Sequence, residues 1–184
     1  VGMPTYQITS KYKYDFLAVI DDVLLFLPRP ANLLFLYMFF FYLLSISRKY
    51  SIPISFFGSL AYAFSSYYII ILMVGHNTKA LTLAYAPLVF LGLFQVLFDK
   101  YKIGYLWLLL GLALQVHANH LQMTYYTLIM IIVIVLTWFI NSYKKNEIKN
   151  SFNVIFKICF IGFLALILNA QLVLSTIEYT KQST

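Results

Sequence analysis

LQMTYYTLIMIIVIVLTWFIN, residues 121–141, decides the fold. Apolar side chains fill it almost without interruption, and it carries no charge. A helix of about 20 such residues crosses the hydrocarbon core of a bilayer. Similar stretches cover 31–47, 54–74, 80–98, 103–117 and 152–174, and of these 103–117 is short. The reading is an all-α, polytopic transmembrane helical bundle of about six spans in one domain over 1–184. Residues 1–30 form an outer loop, 31–174 hold the spans, and 175–184 begin another outer loop.

Composition agrees. The chain is 62% hydrophobic and 10% charged, whereas a soluble domain carries about 25% charged residues. The membrane lipid bilayer is therefore the first partner. The loops at 48–51, 99–102 and 142–151, with the start of the last span, hold Arg48, Lys49, Lys100, Lys102, Lys144, Lys145, Lys149 and Lys157. Against Asp99 and Glu147 they leave +6 on that side. Lys11, Lys13, Arg29, Lys79 and Lys181, against Asp15, Asp21, Asp22 and Glu178, leave only +1 on the other. Short Lys/Arg-rich loops stay in the cytoplasm. The turns at 75–79 and 118–120 and both ends of the chain then face outward. The net charge of +7 is a retention signal, and no nucleic acid is expected as partner. Cys159 stands alone and can form no internal disulfide. Val1 opens a polar segment without the basic and apolar regions of a signal peptide, and the chain reads as an internal fragment.

Residues 15–27 repeat apolar positions at helical spacing, with Asp15, Ala18 and Asp22 on another face. The stretch is too short to span and ends at Pro28-Arg29-Pro30, so an amphipathic helix in the outer interface is expected. Asn32 is placed to cap the first span, and Asn77 or Thr78 the third. Pro87 predicts a kink in the third. Trp107 and Trp138 fall near the cytoplasmic interface, where indoles are enriched.

Polar side chains at the edge of a membrane are costly, and their sidedness is informative. His76, Asn77, Lys79, His117, Asn119, His120, Gln122, Asn169, Gln171, Glu178 and Lys181 all fall at outer helix ends. The turn Gly75-His76-Asn77-Thr78-Lys79 precedes a helix whose amino end favours anions. His76, Asn77 and Lys79 are therefore candidates for a phosphate clamp; the alternative is a solvated turn with a snorkelling lysine. His117 and His120 would share a face if the helix continued, but a metal site needs a third ligand, which His76 or Glu178 could supply only if folding brings them near; the ordinary alternative is interfacial histidines bonding across helices. Asn119, His120 and Gln122 can bind sugar hydroxyls or phosphate, or bond across helices. Asp21, Asp22 and Glu178 are the candidate catalytic carboxylates, as general base or as holder of a divalent cation (Mg or Mn) against a diphosphate. Adjacent Asp21 and Asp22 diverge by about 100° on a helix, and both also suit the polar face of an interfacial helix.

Taken in order, Gly2-Met3-Pro4-Thr5-Tyr6-Gln7, Leu27-Pro28-Arg29-Pro30-Ala31, Gly75-His76-Asn77-Thr78-Lys79-Ala80, Ala118-Asn119-His120-Leu121-Gln122-Met123-Thr124-Tyr125-Tyr126, and Glu178-Tyr179 with Lys181 and Ser183-Thr184 resemble the bacterial YfhO-type membrane proteins. The resemblance implies a GT-C-like glycosyltransferase of the bacterial inner (plasma) membrane. Its expected reaction moves a sugar from a polyprenyl-phosphate donor to a cell-envelope acceptor at the periplasmic or extracellular face. The family's first helix, and the acidic loop residue expected to act as base, would precede Val1. Two other functions are weighed beside it: a lipid-linked substrate transporter or flippase, and a non-catalytic envelope assembly protein.

Overall fold

A computed structural model describes residues 15–146 and 148–183, without the side chains of Thr176 and residues 178–183. The described residues are helical and contain no strand. In chain order the helices are α1 (Phe16–Leu24), α2 (Ala31–Ser47), α3 (Ile52–Ala63), α4 (Ser66–Met73), α5 (Asn77–Phe94), α6 (Ile103–His117), α7 (Leu121–Lys144), α8 (Ile148–Leu168) and α9 (Ala170–Ser183). A π-helical turn, Gln95–Asp99, extends α5 and ends at Lys100 in the left-handed region.

Three helices are long and apolar enough to cross a membrane: α5 with its π turn, α7 and α8. The α3–α4 pair, bent by 40°, makes a fourth if counted as one span. With 17 and 15 residues, α2 and α6 are shorter apolar helices. At 1.5 Å per residue they reach about 26 and 23 Å, against a hydrocarbon core of about 30 Å. Length alone thus identifies half of the six expected spans.

Two expected spans are interrupted. The 54–74 stretch breaks at Phe64–Ser65. Six residues on a straight helix would set Tyr62 and Tyr68 about 120° apart. The break turns both rings onto Tyr37, at centroid distances of 6.1 and 4.3 Å. The 152–174 stretch breaks at Asn169, which is buried and donates from Nδ2 to the Ala113 carbonyl at 3.0 Å and the Ala165 carbonyl at 2.9 Å. Beyond it, α9 is helical where an outer loop was expected.

The expected caps also move. Asn32 lies inside α2, accepting from the Leu33 amide at 2.7 Å, and no side chain caps that helix. The residue preceding α5 is His76, so Asn77 and Thr78 are helical rather than capping. Helix α5 runs through Pro87, which has no N–H for the Leu83 carbonyl. The Tyr62 hydroxyl approaches that freed carbonyl at 3.5 Å.

The tightest pairing is α5 against α6. A Cβ added at Gly92 would lie 2.2 Å from the Leu108 amide nitrogen, and one at Gly111 2.8 Å from that of Val89. Missing side chains let the two backbones touch, which is how helices associate where lipid removes the hydrophobic drive. Around this pair sit two apolar clusters. One joins Leu17, Leu36, Tyr37, Tyr85 and Leu114. The other joins Leu93, Leu97, Leu108, Ile131 and Ile161.

The two ends of the bundle differ. At one, the Arg48 guanidinium donates to Asp99 at 3.2 Å and lies 5.5 Å from the Phe94 and Phe98 ring centres. Lys157, over the Tyr105 ring at 5.9 Å, also lies toward this end. At the other, Gln115 Nε2 donates to the Thr82 carbonyl and to Thr127 Oγ1. That bridge brings the start of α5, the end of α6 and the start of α7 together, and with them the turns at 75–79 and 118–120.

Candidate functional site

Asp15 precedes α1 and caps it. Its Oδ1 accepts from the Leu17 and Ala18 amides, each at 3.1 Å. Its Oδ2 faces His117 Nε2 at 3.0 Å. Two turns along α1, Asp21 Oδ2 faces His117 Nδ1 at 2.9 Å, and Asp21 Oδ1 accepts from the Tyr85 hydroxyl. An ionised carboxylate only accepts, so a ring bonded to two of them carries a proton on each nitrogen. The cluster is an imidazolium between two carboxylates, closed by a phenol. Side-chain exposures of 21% for His117, 14% for Asp15 and 11% for Asp21 place it largely out of solvent.

Burial alone would push the Asp15 carboxyl up. The bonds from His117, Ala18 and Leu17 outweigh it and hold Asp15 below its ordinary 3.8. The sign follows: a depressed native value stabilises the fold above the ordinary value, and that stability is lost as pH falls through the native one. Thermal stability should therefore hold from neutral pH to about 4 and fall below it, and the fall should shrink in Asp15→Asn. Melting temperature against pH for both proteins checks this, and identical acid limbs would contradict it.

The same contacts turn α1 over relative to a simple interfacial reading of Asp21. Leu17 and Asp21 are its buried residues. Phe16, Val19 and Val23 stand 60–71% exposed along the opposite stripe. Asp22 diverges from Asp21 and is exposed.

Other candidate residues are dispersed. His76 and Asn77 are exposed at the start of α5. Lys79 is half-buried with its Nζ 5.3 Å from the Tyr67 ring centre. Asn119 turns the chain between α6 and α7 in the left-handed region. His120 precedes α7 and accepts from the Met123 amide at 3.4 Å, so it does not share a helix face with His117. The exposed Gln122 donates to the Tyr126 hydroxyl at 2.9 Å. The side chain of Glu178 lies outside the described residues. Beside Asn77, Arg29 and the apolar faces of α2 and α4 enclose a groove of about 370 Å³, and neither His76 nor Lys79 lines it.

Among the described residues no three His, Cys, Asp or Glu side chains converge as metal ligands. Asp15 and Asp21 hold an imidazolium between them, which repels a divalent cation, so a metal does not fit there.

Asp15 and Tyr85 carry no functional signal in the sequence, and His117 reads there as half of a metal pair or as an interfacial histidine bonding across helices. No local spacing joins residues 96 and 102 positions apart. The only signal was an ionisable side chain at the end of an apolar helix. The chain matches no known family model, no curated protein and no solved structure.

Proposed function

We propose that this chain is part of a GT-C-like membrane glycosyltransferase that moves a sugar from a polyprenyl-phosphate donor to a cell-envelope acceptor. In this reading the protein crosses the bacterial inner membrane about six times. The short α2 and α6 are accommodated by local thinning, which costs fractions of a kcal/mol per Å. The end holding His117 faces the periplasm or exterior.

One observation supports the proposal: Gln115 joins the start of α5, the end of α6 and the start of α7, and Asp21 joins His117, at the end of the bundle opposite the Arg48–Asp99 pair. Departure of a lipid phosphate builds negative charge, and cations or helix amino ends lower its cost. Lys79, His76 and Asn77 supply that environment at the start of α5. Asn119, His120 and Gln122, at the start of α7, bind sugar hydroxyls or phosphate. Asp21 already accepts from the Tyr85 hydroxyl and faces the His117 ring, so both of its oxygens are engaged. It holds α1 in place, and proton removal falls to Asp22 or Glu178.

Membranes containing the chain should transfer label from a polyprenyl-phosphate sugar to envelope material. Lys79→Ala should abolish transfer and leave insertion intact. Wild-type rates in that variant would remove the clamp, and no transfer by the parent protein would remove the enzyme. A flippase reading draws on the buried amides of Gln115 and Asn169, whose oxygens have no partner among the described residues. Movement of labelled lipid across vesicles without chemical transfer would favour it.

A further inference from the structure

The groove beside α4 has a chemistry of its own. Leu33, Ile69, Leu72 and Met73 form apolar walls, and Arg29 and Asn77 are its polar residues. Arg29 has no hydrogen-bond or ionic partner among the described residues. Pro28 and Pro30 flank it and restrict the backbone that presents it. The walls are open: Met73 is 82% exposed and Ile69 39%.

We propose that this groove binds an anionic phospholipid of the surrounding bilayer. The phosphodiester sits on Arg29, and one acyl chain lies along Leu33, Ile69, Leu72 and Met73. Charge complementarity carries the argument. Arg29 is exposed, and a phosphate oxygen pair answers its planar guanidinium fork with two parallel bonds. Position agrees, because Arg29 and Asn77 stand where α2 and α5 begin, at headgroup depth in a membrane-spanning bundle. Size agrees as well. The groove lies near the lower end of ligand-pocket volumes, about 300–1,000 Å³, which suits one chain and leaves the second in the bilayer. An opening toward the membrane is filled by the lipid that surrounds it.

This lipid is a resident and not the donor, so the site stands whether or not the chain transfers sugar. The test uses the whole chain, purified in detergent and supplied with phosphatidylglycerol or phosphatidylcholine, with bound lipid read by native mass spectrometry. Wild-type protein should retain phosphatidylglycerol about tenfold better, and Arg29→Gln should erase that preference. Met73→Trp, which fills the groove without touching charge, should lower retention of both lipids. Lys144→Gln, a cation removed at the far end of α7, should keep the preference. Equal retention of the two lipids by wild type, or an unchanged preference in Arg29→Gln, overturns the proposal. Displacement of phosphatidylglycerol by trace polyprenyl phosphate also overturns it, by assigning the groove to a carrier lipid.

Discussion

Replacing His117 with alanine will release α1 from the bundle. The substitution leaves Asp15 and Asp21 facing each other with no cation between them. Removing one partner of a buried ion pair costs roughly 3–5 kcal/mol, because the other charge stays desolvated. The partial exposure of this cluster puts the expected loss at the lower end, about 3 kcal/mol. Leu17, buried at 4% exposure, reports the event. In a Cys159→Ser background, Leu17→Cys should react slowly with maleimide, and much faster once His117→Ala is added. The triple change Asp15→Asn, Asp21→Asn, His117→Gln removes all charge and should recover most of the protection. Equal labelling with and without His117 would show that apolar contacts alone hold α1.

Leucine at Gly92 should disrupt the bundle at its centre. The first added atom would sit 2.2 Å from the Leu108 nitrogen and 2.8 Å from the Gly104 carbonyl oxygen, both backbone. Neither can swing aside as a side chain could, so α5 and α6 must separate. Overpacking costs about 1–3 kcal/mol where side chains can yield; here the loss should exceed that and appear as aggregation or proteolysis of the solubilised protein. Gly104→Leu should behave similarly, since its Cβ would meet the Gly92 carbonyl oxygen at 2.9 Å and the Val96 nitrogen at 2.9 Å. Gly162→Ala is the contrast. Nothing lies within 4 Å of its added Cβ, and alanine is up to about 1 kcal/mol better than glycine within a helix. A melting temperature lowered as much by Gly162→Ala as by Gly92→Leu would refute the packing account.

Some of this was open to a reader of the sequence. Apolar length marked α5, α7 and α8 as spans, and the helical repeat over 15–27 marked α1 as amphipathic. The divergence of Asp21 from Asp22 followed from helix geometry alone, and the structure buries one and exposes the other. Other readings failed for identifiable reasons. Hydropathy sees 54–74 as continuous, because a 40° bend exchanges no apolar residue for a polar one. Asn169 reads as a polar residue near a helix end, whereas its bond to the Ala113 carbonyl places it at a break inside the structure.

The amino-acid sequence by itself determined that the protein is helical, that several stretches are apolar enough to cross a membrane, and that its histidines fall at the helix ends opposite its basic loops. Those properties add residue by residue, since each side chain carries its own transfer cost into a bilayer. Only tertiary structure decided that His117 would stand between Asp15 and Asp21, that Arg29 would border an apolar groove, and that Gly92 would lie against Leu108. Each depends on how far a helix is rotated about its axis and how closely its neighbour approaches. Those two quantities emerge only when the helices pack together.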